Sequence, residues 1–411
     1  MVVVSTSIDS QEEHTDIPRA LQPSDYTSST AMTTAHLNGT KNTEAAADDG
    51  QLLHFTPVAP SKMELPYADL QQIDISTWND GLEAQQELAD QLYKAMTTDG
   101  FFVLTGLDIS EEEIARQVDI GYTVIEKTPL EEKLKLDGHM DATGLYRGFK
   151  PRQYYEMEKG VKDQIEQFNW QRDMEDQPMP STILPYVPEV KSFCERVHKD
   201  VLYKVYQLFA LALKLPINTF VDFHKYEEKD DSWFRYMAYY DEFKPEDEAK
   251  VGSVWLKGHQ DHGAVTMVFS QPMASLQVRD DAGNWRYTPH VPGGIIINCG
   301  IMMEWWTGGL FKAANHRVAA PPADQRNHTR CGVFYFSIPN NDVRPDLLVE
   351  SPVLQKAGVK SLFKDGKTID ALTFSRARVA KVGKSDVYKQ AWGPGTRLVE
   401  VIAGVEVPHF G

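Results

Sequence analysis

From residue 233 onward the chain breaks into short apolar runs separated by Gly, Pro, Asp or Asn, and this pattern limits the possible folds more than any other feature. The runs at 234–240, 264–269, 276–278, 294–298, 313–318 and 332–338 are each too short for a core helix. Strands of this length and spacing suit an antiparallel barrel or a two-sheet jelly roll. Upstream the periodicity is helical. Leu88, Leu92, Ala95 and Met96 share one helix face, which stops at Asp99-Gly100, and a strand-like run follows at 101–104. Residues 110–136 read as charged helix. A second long helix spans 188–213, with Val190, Cys194, Val197, Val201, Val205 and Leu208 on its core face. Between them a polar, Gly-containing connection at 137–160 carries Tyr146-Arg147-Gly148-Phe149. The stretch from 341 to the end reads as helix followed by an extended segment.

Composition settles the broad class. With 411 residues, 42% hydrophobic and 25% charged, the chain can bury a large core. Residues 1–50 differ: 14 Ser or Thr, one aromatic (Tyr26), and eight acids against two bases. Such a segment buries too little to offset its ordering entropy. The expected organisation is therefore a disordered acidic tail at 1–62, an N-terminal α/β region at 63–215, a jelly-roll core at 216–340 and a C-terminal extension at 341–411. The net charge of −17 argues against nucleic acid as a partner. Cys194, Cys299 and Cys331 form no CxxC pair, which excludes a zinc ribbon or a disulfide scaffold and points to a reducing, cytoplasmic setting. No run approaches the roughly 20 apolar residues of a membrane span. The opening MVVVSTSIDS lacks the basic residue and the length of a signal peptide, so no membrane partner is expected and the sequons at Asn38 and Asn327 read as accidents of composition.

The chemistry lies in a His-x-Asp tripeptide followed much later by His. Two imidazoles and a carboxylate on one face of iron(II) leave positions open for O2. The tripeptide occurs four times, at His14/Asp16, His139/Asp141, His198/Asp200 and His259/Asp261. His14 lies in the tail and His139 in a polar loop. His198 sits inside a helix, where residues two apart diverge by about 200°. His259/Asp261 opens a strand-like run, GHQDHGAVTMVFS, whose period-2 geometry would place both side chains on one face, roughly 7 Å apart along the strand. His316, separated from Asp261 by enough chain for intervening strands, is the expected third ligand. Arg330 starts the next apolar run, RCGVFYF, where a guanidinium can hold a carboxylate bidentately.

These residues carry a family resemblance. The stretches GHQDHGAVTMVFS, GGIIINCGIMMEWWTGGLFKAANHRV and RCGVFYFSIPN resemble the core of the iron(II)/2-oxoglutarate-dependent dioxygenases, isopenicillin-N-synthase-like branch. ELPYADLQQIDIS and LADQLYKAMTTDGFFVLTG echo its N-terminal region, so the likeness spans about 63–340. It implies a mainly β fold with flanking helices around a double-stranded β-helix (jelly-roll) core. It also implies iron(II) on His259, Asp261 and His316, and 2-oxoglutarate held by Arg330 with Tyr240 assisting. The implied reaction consumes O2 and 2-oxoglutarate, releases succinate and CO2, and hydroxylates, desaturates or cyclises a small, natural-product-like molecule of secondary metabolism. Tyr146, Arg147, Phe149, Trp306 and Phe336 are the expected substrate contacts, with Arg147 a candidate for a substrate carboxylate. Four features depart from the branch: Gly332 stands in place of serine, Ala238 of asparagine and Ile301 of aspartate, and the gap from His316 to Arg330 is longer than is common. The rival readings are an iron oxidase of the isopenicillin N synthase type that does not use 2-oxoglutarate, an ethylene-forming type, a zinc hydrolase with Glu304 as base, and a non-catalytic binding protein.

Overall fold

The structure is a computed structural model that describes residues 52–410 apart from 173, 175, 364–367 and 383–396. Most of the expected tail thus lies outside the described residues. Its remainder, 52–62, departs from the expectation by packing along the body. The Leu53 N–H donates to Thr123 Oγ1 (2.9 Å) and the Phe55 N–H to Asp119 Oδ1 (2.8 Å), while Ser61 and Lys62 both bond to the Asp324 carboxylate. Leu52 and Val58 pack against the buried clusters and Phe55 meets Tyr122 edge-on, while fixed side-chain oxygens satisfy backbone N–H groups of the stretch.

Twelve strands build two sheets: β1 (Gln71–Asp74), β2 (Phe101–Thr105), β3 (Gly148–Lys150), β4 (Ile165–Gln171), β5 (Trp233–Tyr239), β6 (Val254–His259), β7 (Val265–Phe269), β8 (Leu276–Arg279), β9 (Trp285–Tyr287), β10 (Ile295–Cys299), β11 (His316–Ala319) and β12 (Arg330–Ser337). The larger sheet has the order β1-β2-β10-β7-β12-β5-β4-β3, and the smaller one β9-β8-β11-β6. From β5 onward the chain passes back and forth between the two sheets, the arrangement of a jelly roll. Each apolar run expected from the sequence falls on one of these strands.

Two apolar layers follow from the period of the strands. On β10, Ile295, Ile297 and Cys299 join the layer under the helices, while Ile296 joins the layer between the sheets. The helices are α1 (Leu82–Thr98), α2 (Glu111–Lys127), α3 (Val187–Arg196), α4 (Tyr203–Ala212), α5 (Ile301–Trp306) and α6 (Ala371–Lys381). A capping box fixes the start of α2: the Ser110 hydroxyl accepts from the Glu113 N–H, and Glu113 accepts in return from the Ser110 N–H. The helix expected over 188–213 is interrupted by a π-helical turn at Val197–Leu202. His198 lies within that turn, hydrogen-bonded to the Tyr335 hydroxyl (2.7 Å) and facing the His224 carbonyl (2.8 Å), so this His-x-Asp copy belongs to the core. Among the described residues no helix is long and apolar enough to cross a membrane.

The loop after β6 meets the start of α5 backbone to backbone. The Ile301 N–H donates to the Asp261 carbonyl (2.8 Å) and the Met302 N–H to the Gly263 carbonyl (3.1 Å). Only a residue without a side chain permits this approach, since a Cβ on Gly300 would lie 2.2 Å from the Gly263 oxygen. Gly300→Ala is expected to destabilise the protein by about 1–3 kcal/mol through this overpacking, measured as a lower midpoint in urea.

Candidate active site

Asp261 departs from the expected geometry. β6 ends at His259 and β7 begins at Val265, so Asp261 stands in the turn between them and not on a strand face. The turn folds the carboxylate back, bringing Oδ1 to 3.7 Å from His259 Nε2. His316 opens β11, and the register pairs it directly with His259 across the smaller sheet. Its Nε2 lies 3.7 Å from Asp261 Oδ2. One ligand atom from each of the three residues falls within 4.8 Å of the others.

Neighbouring groups orient all three side chains. Nδ1 of His259 donates to the Lys257 carbonyl (2.9 Å), and Nδ1 of His316 donates to the Ala314 carbonyl (3.1 Å). Both Nε2 lone pairs are thereby turned toward the shared space. Asp261 Oδ2 accepts from Thr266 Oγ1 (2.7 Å) and Asn298 Nδ2 (2.9 Å). Burial, with His316 alongside, pulls His259 down to about 4. Burial works to raise Asp261, but the two imidazoles and the hydrogen bonds from Asn298 and Thr266 outweigh it and hold the carboxyl at about 2. Two imidazole nitrogens beside a carboxylate form a donor set that suits a first-row divalent metal.

The triad lines a cavity of about 190 Å³ between the two sheets. Arg330, 4% exposed, lines the same cavity from the start of β12, and its Nε and Nη1 have no partner among the described residues. Val268, Leu276 and Val318 share that wall. Two unpaired N–H groups on a buried guanidinium match a carboxylate ligand, which fits the 2-oxoglutarate that the sequence resemblance implies. Gly332 lies two residues along the same strand face. A Cβ there would sit 2.3 Å from Gln271 Nε2, so the Gln271 amide takes up the room a side chain would need.

Tyr240 requires correction. Period 2 on β5 turns Arg235, Met237 and Tyr239 to the cavity and sends the alternate residues to the helix side. The Tyr240 hydroxyl donates to Glu126 Oε1 (2.7 Å), away from the cavity. Tyr239 is the tyrosine beside Arg330, whose guanidinium carbon lies 4.9 Å from its ring centre. The expected substrate contacts also divide. Tyr146 and Phe336 line the cavity. Arg147 does not; its guanidinium donates to the Asp176 carbonyl. Phe149 packs on Phe168 (4.7 Å), and Trp306 is buried against Phe223 (5.1 Å). Glu304 is also absent from the cavity wall and accepts from the Ala313 N–H (3.3 Å), so it is not placed to serve a hydrolytic metal as base.

Sequence reasoning missed Thr266, Asn298, Tyr239 and Arg235. The signal for Arg235 was present: a lone arginine within a strand whose residues all prove buried. The signal for Tyr239 was the strand period itself, misjudged by one position.

Comparison with known proteins bears on the family and the fold. Residues 232–339 match the 2OG-Fe(II) oxygenase superfamily, and residues 65–188 match the N-terminal region of non-haem dioxygenases in morphine synthesis. A 2-oxoglutarate-dependent dioxygenase from Dothideomycetidae sp. (strain 11243) is 26% identical, over 75% of this chain and 96% of that protein. A homoarginine-6-hydroxylase from Glycine max is 27% identical over 62% and 78%. Among solved structures, a 2OG-Fe(II) oxygenase family protein from Caulobacter crescentus superimposes with a TM-score of 0.65 at 23% identity, covering 77% of this chain and 99% of that one. A full-length Neurospora crassa protein in complex with alpha-KG gives 0.64 at 21% identity over the same shares; both bear on the fold alone.

Burial pushes Glu304 up to about 7. Its carboxyl is protonated in the folded protein below that pH, whereas an unfolded glutamate ionises near 4.5. The resulting stability is complete below about 4.5 and is lost as pH rises through 7. Glu304→Gln is expected to remove this decline, worth up to about 3 kcal/mol between pH 5 and 8, in urea melts run across pH.

Proposed function

As this chain belongs to the 2OG-Fe(II) oxygenase superfamily, we propose that His259, Asp261 and His316 hold its iron(II) and that Arg330 grips the distal carboxylate of 2-oxoglutarate. The protein is an iron(II)- and 2-oxoglutarate-dependent oxygenase of small molecules. One observation carries the residue assignment. Three oriented ligand atoms within 4.8 Å share a cavity with a buried arginine whose Nε and Nη1 lack partners among the described residues.

Iron(II), 2-oxoglutarate and O2 together supply the oxidising power for hydroxylation, desaturation or ring closure, with succinate and CO2 released. The chain's own work is positional. The carbonyls of Lys257 and Ala314 fix the two imidazoles, while Thr266 and Asn298 stop Asp261 from rotating. Arg330 sets the depth at which the cosubstrate sits, with Tyr239 beside its guanidinium. Met237, Val268, Val318 and Phe334 exclude water from this end of the cavity. The substrate enters the remaining space, flanked by Tyr146 and Phe336. A tailoring step on a natural-product-like metabolite fits a family whose relatives here include fungal dioxygenases and plant amino-acid hydroxylases. An oxidase that does without 2-oxoglutarate would leave Nε and Nη1 of Arg330 buried with no acceptor among the described residues.

Two measurements test the assignment. Added anaerobically to the iron-loaded protein, 2-oxoglutarate should produce a visible charge-transfer band, and His316→Ala should abolish both the band and succinate formation. Wild-type turnover by His316→Ala would overturn the ligand set. Arg330→Ala should raise the 2-oxoglutarate concentration needed for half-maximal band by about 10- to 1000-fold, the loss of one buried charge pair. Unchanged affinity would remove Arg330 from this role.

A further inference from the structure

A second arginine in the cavity has no counterpart in the chemistry described so far. Arg235 lies in the middle of β5 and is 7% exposed. Its Nε donates to Asn169 Oδ1 (2.6 Å), and Nη2 is buried with no partner among the described residues. No carboxylate among the described residues forms a salt bridge with it, and Asn169 is neutral. Aromatic rings take the place of a counter-ion. The guanidinium carbon lies 4.5 Å from the Tyr146 ring centre, 4.7 Å from Phe336 and 5.5 Å from Trp233. Trp233 and Phe336 stack on each other at 4.4 Å and 10°. Cation–π contacts suit a weakly hydrated guanidinium, but they leave its outward N–H edge unsatisfied. An anion at that edge would complete a buried charge that the rings only partly compensate.

Charge in the cavity points the same way. Although the chain carries −17, the cavity wall holds five cationic side chains and three carboxylates. Lys150 is cancelled by Asp163, at 2.7 Å from both oxygens. Iron(II) and the 2-oxoglutarate dianion together add no net charge, and Arg330 and Asp261 offset one another. Beyond these the wall carries Arg235, Arg378, Lys257 and Glu156.

Arg235 also starts from a different place along the sheet than Arg330. The register pairs Tyr239 with Arg330 and Arg235 with Phe334. Four register steps thus separate the two backbone positions, roughly 13 Å of strand, and the rings around each guanidinium differ: Tyr239 and Phe334 for Arg330, Tyr146, Phe336 and Trp233 for Arg235.

We propose that Arg235 is the substrate anchor and that the substrate is a small carboxylic acid, its carboxylate bound by the outward edge of Arg235 and its body lying against Tyr146 and Phe336. Asn169 is a positioning residue, holding the guanidinium edge-on to the cavity. The proposal rests on the oxygenase reading above and narrows it from small molecules to acids. The role that the sequence suggested for Arg147 thus passes to a residue on the sheet.

The test uses the iron- and 2-oxoglutarate-loaded protein under anaerobic conditions, with benzoate, phenylacetate and 3-phenylpropanoate as probes beside their methyl esters. Binding is read by calorimetry and by displacement of the visible band. At least one acid should bind, and its ester should bind at least 10-fold more weakly. Arg235→Leu should erase that preference, and Arg235→Lys should restore part of it, with the 2-oxoglutarate band retained in both. Equal binding of acids and esters, no acid binding, or wild-type acid preference in Arg235→Leu would each overturn the proposal. Should Arg235→Leu fail to fold, Arg235→Lys and the acid–ester comparison in the wild type still decide it. Absence of the 2-oxoglutarate band in the wild type would instead overturn the underlying oxygenase reading.

Discussion

The facing of two histidines across one antiparallel strand pair is the constraint on which the rest of the site depends. His259 ends one strand and His316 begins its neighbour, so a single register sets the spacing of their rings at 4.4 Å. A one-residue slip would send one imidazole to the opposite face. Each ring is then locked by a carbonyl two positions before it in the chain. Asp261 lies two residues past His259, beyond the end of the strand, and its carboxylate must still come within reach of both imidazoles. The turn after β6 solves this, and its closeness to α5 depends on a glycine at 300. Metal affinity in this protein is therefore a property of sheet register and one tight backbone contact as much as of ligand identity.

The cavity around that centre is electrically unlike the protein that encloses it. An acidic chain buries two guanidinium groups in that wall, Arg330 and Arg235. Arg330 and Arg235 lie on adjacent strands of the same sheet, four register positions apart. Their neighbours differ: Arg330 has aliphatic residues and Tyr239, whereas Arg235 has stacked aromatic rings and an asparagine. Burial lowers the basicity of both, with nearby tyrosines opposing it, which is the expected balance for guanidinium groups waiting on an anion. Helices carry little of this chemistry. They cover the far face of the larger sheet and keep its strands dry on that side, while α6 closes over the cavity with Ser375 beside His262 (3.1 Å).

Much of this was legible from the chain alone. The short apolar runs placed the strands because run length and the Gly, Pro, Asp and Asn breakers between runs are local properties; β5, β7 and β10 themselves are buried on both faces. The choice of His259/Asp261 among four His-x-Asp copies needed only the local secondary structure, and His198 shows why: its helix turns it into the core. Arg147 and Trp306 misled because an arginine in a polar loop and a tryptophan near a motif carry no record of which way they face. Tyr240 misled through an error of one position, which on a strand reverses the side chain. The described part of the N-terminal segment, 52–62, does not share the composition of 1–50, and its partners Asp119, Thr123 and Asp324 are distant in sequence.

The sequence by itself determined the strand-rich fold and singled out His259, Asp261, His316 and Arg330, because each reading depends on residue type and short-range period. Only the tertiary structure decided that Asp261 approaches from a turn, that Tyr239 and not Tyr240 faces the cavity, and that Arg235 lies buried there with an unfilled edge. Those outcomes depend on register and on contacts between residues far apart in the chain. Neither is written in local periodicity: a strand's pattern shows which residues share a face, and only its packing partner shows what that face meets.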